Sequence, residues 1–162
     1  MGLKSSLKDK KAVQLHWLQR AASMAKQSPH PAVKVGAVLV DAAGNEIARA
    51  ANRFAHGIDD KPSERYVDGA RSLWINCAEQ MVIARAVRKQ SCLKGARLYV
   101  TLSPCAVCAG LIAECGIAEV IVPKNSCRAN GRLKAKWKKS ITIGLAKMQE
   151  AGVKITLVDM EE

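Results

Sequence analysis

The chain has 162 residues, of which 49% are apolar and 25% charged. A chain of this length buries roughly 70% of the surface its unfolded form exposes, so residues 1–162 are expected to form one domain without a disulfide scaffold. The composition excludes disordered, collagenous and low-complexity classes, and 26 Lys and Arg against 14 Asp and Glu give a net charge of +12 that attracts anions.

In chain order, residues 6–27 read as a helix, with Val13, Trp17, Ala21 and Met24 on one face. Ser28-Pro29-His30-Pro31 ends it, because each proline disfavours helical geometry in the residue before it. Lys34–Val40 is a β-branched apolar run, expected as a buried strand. Asp41–Asn45 is a turn, and Glu46–Arg53 completes a hairpin. Residues 54–75 carry no period and are expected as a long functional loop. A helix at 77–90, a strand at Arg97–Leu102, a helix at 105–115 and a strand at Glu119–Val122 follow. Lys134–Glu150 repeats the helical pattern through Trp137, Ile141, Leu145 and Met148, Gly152 caps it, and the last strand alternates through Val153, Ile155 and Leu157. Helices interleaved with strands predict an α/β layered sheet with a parallel portion.

No apolar run approaches the ~18 residues of a spanning helix, and the Lys- and Ser-rich start lacks the apolar core of a secretion signal. A cytoplasmic location with no membrane partner is therefore expected. There the six cysteines point to thiol or metal chemistry.

Two short segments concentrate that chemistry: Cys77-Ala78-Glu79 and Pro104-Cys105-Ala106-Val107-Cys108. Each sits where a loop enters a helix. Cys105 and Cys108 can converge on one ion and Cys77 can supply a third ligand, which leaves a tetrahedral Zn2+ one open position. Glu79 lies too close in sequence to Cys77 to ligate beside it, but it can reach the open position. A zinc that lowers the pKa of its water to ~7 makes hydroxide at neutral pH, and the Glu79 carboxylate can move the proton to a substrate nitrogen. Such groups suffice for hydrolytic removal of an amine from a heterocycle. A structural zinc knuckle completed by Cys115 or Cys127, or a thiol redox pair, leaves Glu79 without a role. Cys92, Cys115 and Cys127 read as ordinary thiols.

The spacing is a cysteine variant of the zinc-deaminase signature, H-x-E followed by P-C-x-x-C. On these residues the chain resembles the cytidine/deoxycytidylate deaminase superfamily, nearest the deoxycytidylate branch. Ser28-Pro29-His30-Pro31-Ala32-Val33-Lys34-Val35-Gly36-Ala37 is similar to that branch's S-x-D-P-x-x-K-V-G-A segment, and Leu98–Cys108 follows the family's strand-then-PCxxC run.

The resemblance implies a three-layer α/β/α fold, with helices on both faces of a mixed five-stranded sheet. Cys77, Cys105 and Cys108 would hold Zn2+ and Glu79 would be catalytic. For substrate binding, Asn52 would bond the sugar or ring, the Ala78 N–H the ring carbonyl, and the Ser103 carbonyl would face the departing amine. It also implies a homo-oligomer and a small-molecule substrate.

Three departures bear on that substrate. Deoxycytidylate deaminases carry His where Cys77 stands, whereas nucleoside deaminases carry Cys; His30 replaces an Asp; and 24 residues separate Asn52 from Cys77. A cytosine nucleotide of dCMP type is the leading expectation. A nucleoside, base or other aminated heterocycle comes next. A nucleic-acid base deaminase, drawing on the +12 charge, and a non-catalytic zinc protein binding nucleotides or RNA complete the range. Arg53, Lys34 and Arg65 are the first choices for a phosphate clamp, Trp74 reads equally as a residue stacking on the substrate ring or as core, and the basic run from Arg128 to Lys139 reads as a solvated helix end.

Overall fold

The computed structural model describes residues 2–67, 69–127 and 135–160, with side chains described from residue 6 and that of Cys127 excepted. Five strands form one sheet in the order β2-β1-β5-β6-β7: β1 is Gly36–Val40, β2 Glu46–Ala51, β5 Arg97–Val100, β6 Glu119–Pro123 and β7 Lys154–Val158. β1 pairs antiparallel with both β2 and β5, whereas β5–β6 and β6–β7 are parallel. The parallel steps cross over through helices, as parallel connections require.

Period-two alternation along β1 shows why the sheet is covered on both faces. Ala37 and Leu39 pack with Val82, Ala86, Ala109, Ile112 and Met148 of helices α3 (Ala78–Arg88), α4 (Ala106–Glu114) and α6 (Ala135–Glu150). Val38 and Val40 point the other way, onto Leu18 and Ala21 of α1 (Gly2–Ala25) with Tyr99 and Ile121. All five β1 residues are buried, as expected of a strand sandwiched between two helical layers. The expected three-layer α/β/α arrangement is thus observed. At Gly36 the contact with α1 is so close that a Cβ would stand 1.9 Å from the Ala21 carbonyl oxygen.

Several expectations change. The packed stripe of α1 runs through Leu18, Ala21 and Met24, while Val13 is 48% exposed because it lies around the helix from Leu18. The second strand stops at Ala51, where the Asn52 N–H turns to the Val35 carbonyl. Residues 54–75 are more ordered than the pattern shows. A two-residue strand β3 (Arg53–Phe54) pairs with β4 (Ile75–Asn76), enclosing a 3-10 turn at Ser63–Tyr66 and the short α2 (Arg71–Trp74). A further short helix, α5 (Lys124–Cys127), follows β6. Arg128, Arg132 and Lys134 lie outside the described residues. Among the described residues no helix is long and apolar enough to cross a membrane.

Candidate active site

The site is assembled from two helix starts that follow neighbouring strand ends. β4 runs into α3 with extended backbone at Cys77 (φ −62°, ψ 154°), and the Cys77 N–H donates to Gln80 Oε1 at 2.9 Å. A side chain three residues into the helix that reaches back in this way fixes the entry of the chain. α4 begins likewise after β5. Cys105 is its N-cap, extended (φ −70°, ψ 169°), and its Sγ accepts the Cys108 N–H at 3.5 Å. Helix starts have spare N–H groups and the positive end of the helix dipole, so both favour a negatively charged sulfur.

The sulfurs of Cys77, Cys105 and Cys108 lie within 4.8 Å of one another. Tetrahedral zinc with Zn–S bonds of ~2.3 Å separates its sulfurs by about 3.8 Å, which lies within that bound, so the donor set fits a zinc ion. Among the described residues this is the only such cluster of His, Cys, Asp or Glu. Cys108 is fully buried while Cys77 and Cys105 are partly so, which leaves the cluster one accessible side. Cys105 is held well below the ordinary thiol range, first by a hydrogen bond from the Cys108 side chain and then by one from Cys77. The Cys77 and Cys108 thiols are pushed up, chiefly by the hydrogen bond each shares with Cys105.

Glu79 is 4% exposed, and burial pushes its carboxyl up to about 7, with the charge on Cys105 adding to the rise. It lines the same pocket as the three cysteines. A carboxyl that titrates near neutrality beside a metal-ligand set can both accept and return a proton.

The pocket measures about 290 Å³ and also contains Asn52, Ala78 and Ser103 in its lining, at the low end of the ~300–1,000 Å³ of small-molecule sites. Asn52 is buried and does double service: its Oδ1 accepts the Val35 N–H at 2.8 Å and its Nδ2 donates to the Val33 carbonyl at 2.9 Å. One N–H and one lone pair of the amide remain for a ligand. Ala78 is the first residue of α3, so its N–H has no intrahelical acceptor. Ser103 is buried, and its Oγ has no partner among the described residues.

The expected phosphate-clamp residues do not line the pocket. Lys34 Nζ donates to the Ser28 carbonyl at 2.7 Å, Arg65 Nη1 donates to the Asp59 carbonyl at 2.6 Å, and the Arg65 guanidinium stacks 3.9 Å over the Trp74 ring. Trp74 itself lies outside the lining, and Arg53 pairs across β3–β4 with Asn76. His16 is exposed, edge-on to Trp17 at 4.8 Å, and His56 is exposed.

Three residues in the lining lie outside that expectation. Arg71 is the pocket's only lysine or arginine, Trp137 contributes to its wall, and Gln80 fixes the approach to Cys77. Arg71 sits in an aperiodic stretch and Trp137 on an apolar helical stripe, so neither carried a sequence signal. His30 is the exception, having been marked by its place in the S-x-D-P segment. Its Nδ1 accepts the Ala32 and Val33 N–H groups at 3.0 and 2.7 Å, the turn-forming bonds an Asp would make.

A layered α/β fold thus gathers three thiols and a buried carboxyl at two helix starts. Residues 11–124 match the cytidine and deoxycytidylate deaminase zinc-binding region, and the chain belongs to that family. It is 30% identical over 132 residues to a probable deoxycytidylate deaminase of Drosophila melanogaster, covering 73% of this chain and 64% of that one. It is 28% identical over 152 residues to an uncharacterized deaminase in the luxG 3′ region of Aliivibrio fischeri, covering 90% and 95%. The chain therefore spans less than two thirds of the Drosophila relative and nearly all of the bacterial one. The dCMP deaminase of cyanophage S-TIM5, solved with dCMP and dUMP, shares the fold, with a TM-score of 0.72 at 19% identity over 91% of this chain and 97% of that one.

Proposed function

We propose that the chain is a zinc-dependent hydrolytic deaminase of a cytosine nucleotide of dCMP type, yielding ammonia and the uracil product. We further propose that it acts as one domain in a cytoplasmic homo-oligomer. The observation that carries the chemistry is the buried Glu79 carboxyl beside three clustered sulfurs in one small pocket. The names of the Drosophila and cyanophage proteins support the substrate.

Cys77, Cys105 and Cys108 would hold the zinc, whose Lewis acidity supplies an activated water at neutral pH. Glu79 would take a proton from the attacking water and deliver it to the ring nitrogen as the C–O bond forms. It would then take the second proton from the hydroxyl now on that carbon and pass it to the amine, so that the C–N bond breaks, ammonia leaves and one water is consumed. Burial, by raising the carboxyl's pKa, makes Glu79 willing to hold the proton between those transfers. The Ala78 N–H would bind the ring carbonyl, the Ser103 carbonyl would face the amine, and the spare hydrogen-bonding capacity of Asn52 would meet the sugar or ring.

The all-cysteine set favours a second reading in which the same chemistry acts on a free nucleoside or base. Ammonia release from dCMP, CMP, deoxycytidine, cytosine, guanine, adenosine and a single-stranded oligonucleotide separates the two. Turnover of dCMP ahead of deoxycytidine supports the nucleotide reading. Preference for a nucleoside or base reassigns the pocket, and silence across the panel in zinc-loaded protein overturns the deaminase assignment to these substrates.

A further inference from the structure

Three residues of the pocket lining that carry N–H donors, from three different elements, lie close together, with Arg71 near each of the other two. His30 lies in the loop after α1 and is 4% exposed. Its Nδ1 already accepts two main-chain N–H groups, at 3.0 and 2.7 Å. That nitrogen is therefore bare, and in the neutral ring the proton resides on Nε2. Arg71 Nη1, from α2, stands 3.2 Å from this Nε2. Both groups are donors, so neither satisfies the other.

The Arg71 guanidinium carbon also lies 5.5 Å from the centroid of the Trp137 ring, on α6. Trp137 Nε1 is buried and has no hydrogen-bond partner among the described residues. Indole N–H can only donate. Arg71 forms no ion pair among the described residues, and Glu79 is the only acidic side chain in the pocket lining. A set made only of donors, one of them cationic, calls for an acceptor that is negative and has several oxygens. A planar guanidinium that presents parallel N–H groups suits an oxyanion especially well.

We propose that His30, Arg71 and Trp137 form an oxyanion subsite that receives a phosphate group carried by the substrate. This rests on the deaminase reading for its biological meaning, but the subsite stands or falls on its own binding. It moves the phosphate contact away from Lys34, Arg53 and Arg65. It also gives His30 a double role, holding its own loop with one ring nitrogen and the anion with the other.

Two measurements on zinc-loaded protein separate the subsite from the activity. In the first, inorganic phosphate is titrated against 15N-tryptophan-labelled protein, with the indole resonance of Trp137 assigned through Trp137→Phe. A saturable shift of that resonance, lost in Arg71→Met, is expected; no shift in the wild type overturns the subsite.

In the second, kcat/KM is compared for dCMP and deoxycytidine. Arg71→Met should lower the preference for dCMP about 10- to 100-fold, mainly through KM, as loss of a charged donor predicts. Trp137→Phe, which keeps the ring and removes one N–H, should lower it about 5-fold. Wild-type turnover of dCMP with an unchanged preference in both variants refutes the subsite and leaves the deaminase reading intact. A phosphate-dependent shift in protein that turns over neither substrate refutes that reading and leaves the subsite.

Discussion

Gly144, on the inner face of α6, lies against the carbonyl of Pro104 at the mouth of the PCxxC segment. A Cβ at Gly144 would come within 2.7 Å of the Pro104 oxygen and 3.2 Å of the Cys105 carbonyl carbon. Helix α6 therefore rests directly on the backbone that aims two of the three sulfurs. A nearby bond reinforces the contact, since Ser140 Oγ accepts the Ala106 N–H at 3.0 Å. Gly144→Ala should destabilise the protein by about 1–3 kcal/mol, the usual cost of overpacking, and lower kcat together with zinc affinity. Thermal denaturation and zinc titration of the variant check this. An unchanged Tm with full zinc affinity would show that α6 does not set the position of the cysteines.

Glu79→Gln preserves shape while removing the titrating oxygen. It should bind zinc at full stoichiometry and lose turnover about 100- to 10,000-fold, the range for removal of a general acid–base group. Metal analysis alongside ammonia release makes the test. Near-normal turnover would remove Glu79 from the mechanism.

Cys105→Ala deletes one of the three clustered sulfurs, the one that accepts the Cys108 N–H. We expect loss of bound zinc and of activity. A chelator should lower the Tm of the wild type but leave that of the variant unmoved, because only the wild type gains stability from metal binding. Equal chelator sensitivity in both proteins would place the metal elsewhere.

His30 yields a pH prediction. Burial is the main cause holding its pKa below 6.5, with the charges of Arg71 and then Lys34 adding to it, and the ring also packs against Tyr66 at 6.1 Å. Because the folded value lies below the unfolded one, the unfolded chain takes up more protons as pH falls through about 6.5. The contribution to stability is thus complete above that pH and is lost on acidification towards the folded value. His30→Asn keeps an acceptor for the Ala32 and Val33 N–H groups but cannot titrate. Its Tm should fall less than that of the wild type between about pH 7.5 and pH 5. Parallel Tm profiles would mean that His30 does not link protonation to folding.

The metal-ligand candidates were legible because their chemistry is written in short local spacing, and local spacing survives at a helix start. β1 was legible because a strand covered on both faces must be apolar throughout, as Val38, Leu39 and Val40 are. Arg71 and Trp137 were not. Arg71 occupies a stretch whose helices and strands are two to four residues long, too short to leave a period. Trp137 fits the period of its helix, which is the pattern of a core residue, and only the tertiary fold places it in the pocket wall. Of the basic residues expected from the sequence, Lys34 and Arg65 are taken up by main-chain carbonyls and, for Arg65, by Trp74, and Arg53 lies on the two-stranded sheet outside the lining.

The two bonds from Asn52 to the main chain at Val33 and Val35 have an evolutionary corollary. One side chain serves as wall and as fastening for the loop that carries His30, so a mutation there changes the ligand surface and the scaffold at once. By contrast, Ser72 and Ile75 contribute to the pocket from the short segment around α2, where the Ser72 hydroxyl bonds only the nearby Gly69 carbonyl and Ile75 is held through the backbone of β4 and not through its side chain. Substitutions that reshape the ligand surface without disturbing the scaffold should be accepted most readily in that segment and least readily at Asn52. Mutational tolerance across the pocket should therefore be graded by structural commitment more than by distance from the reacting atoms.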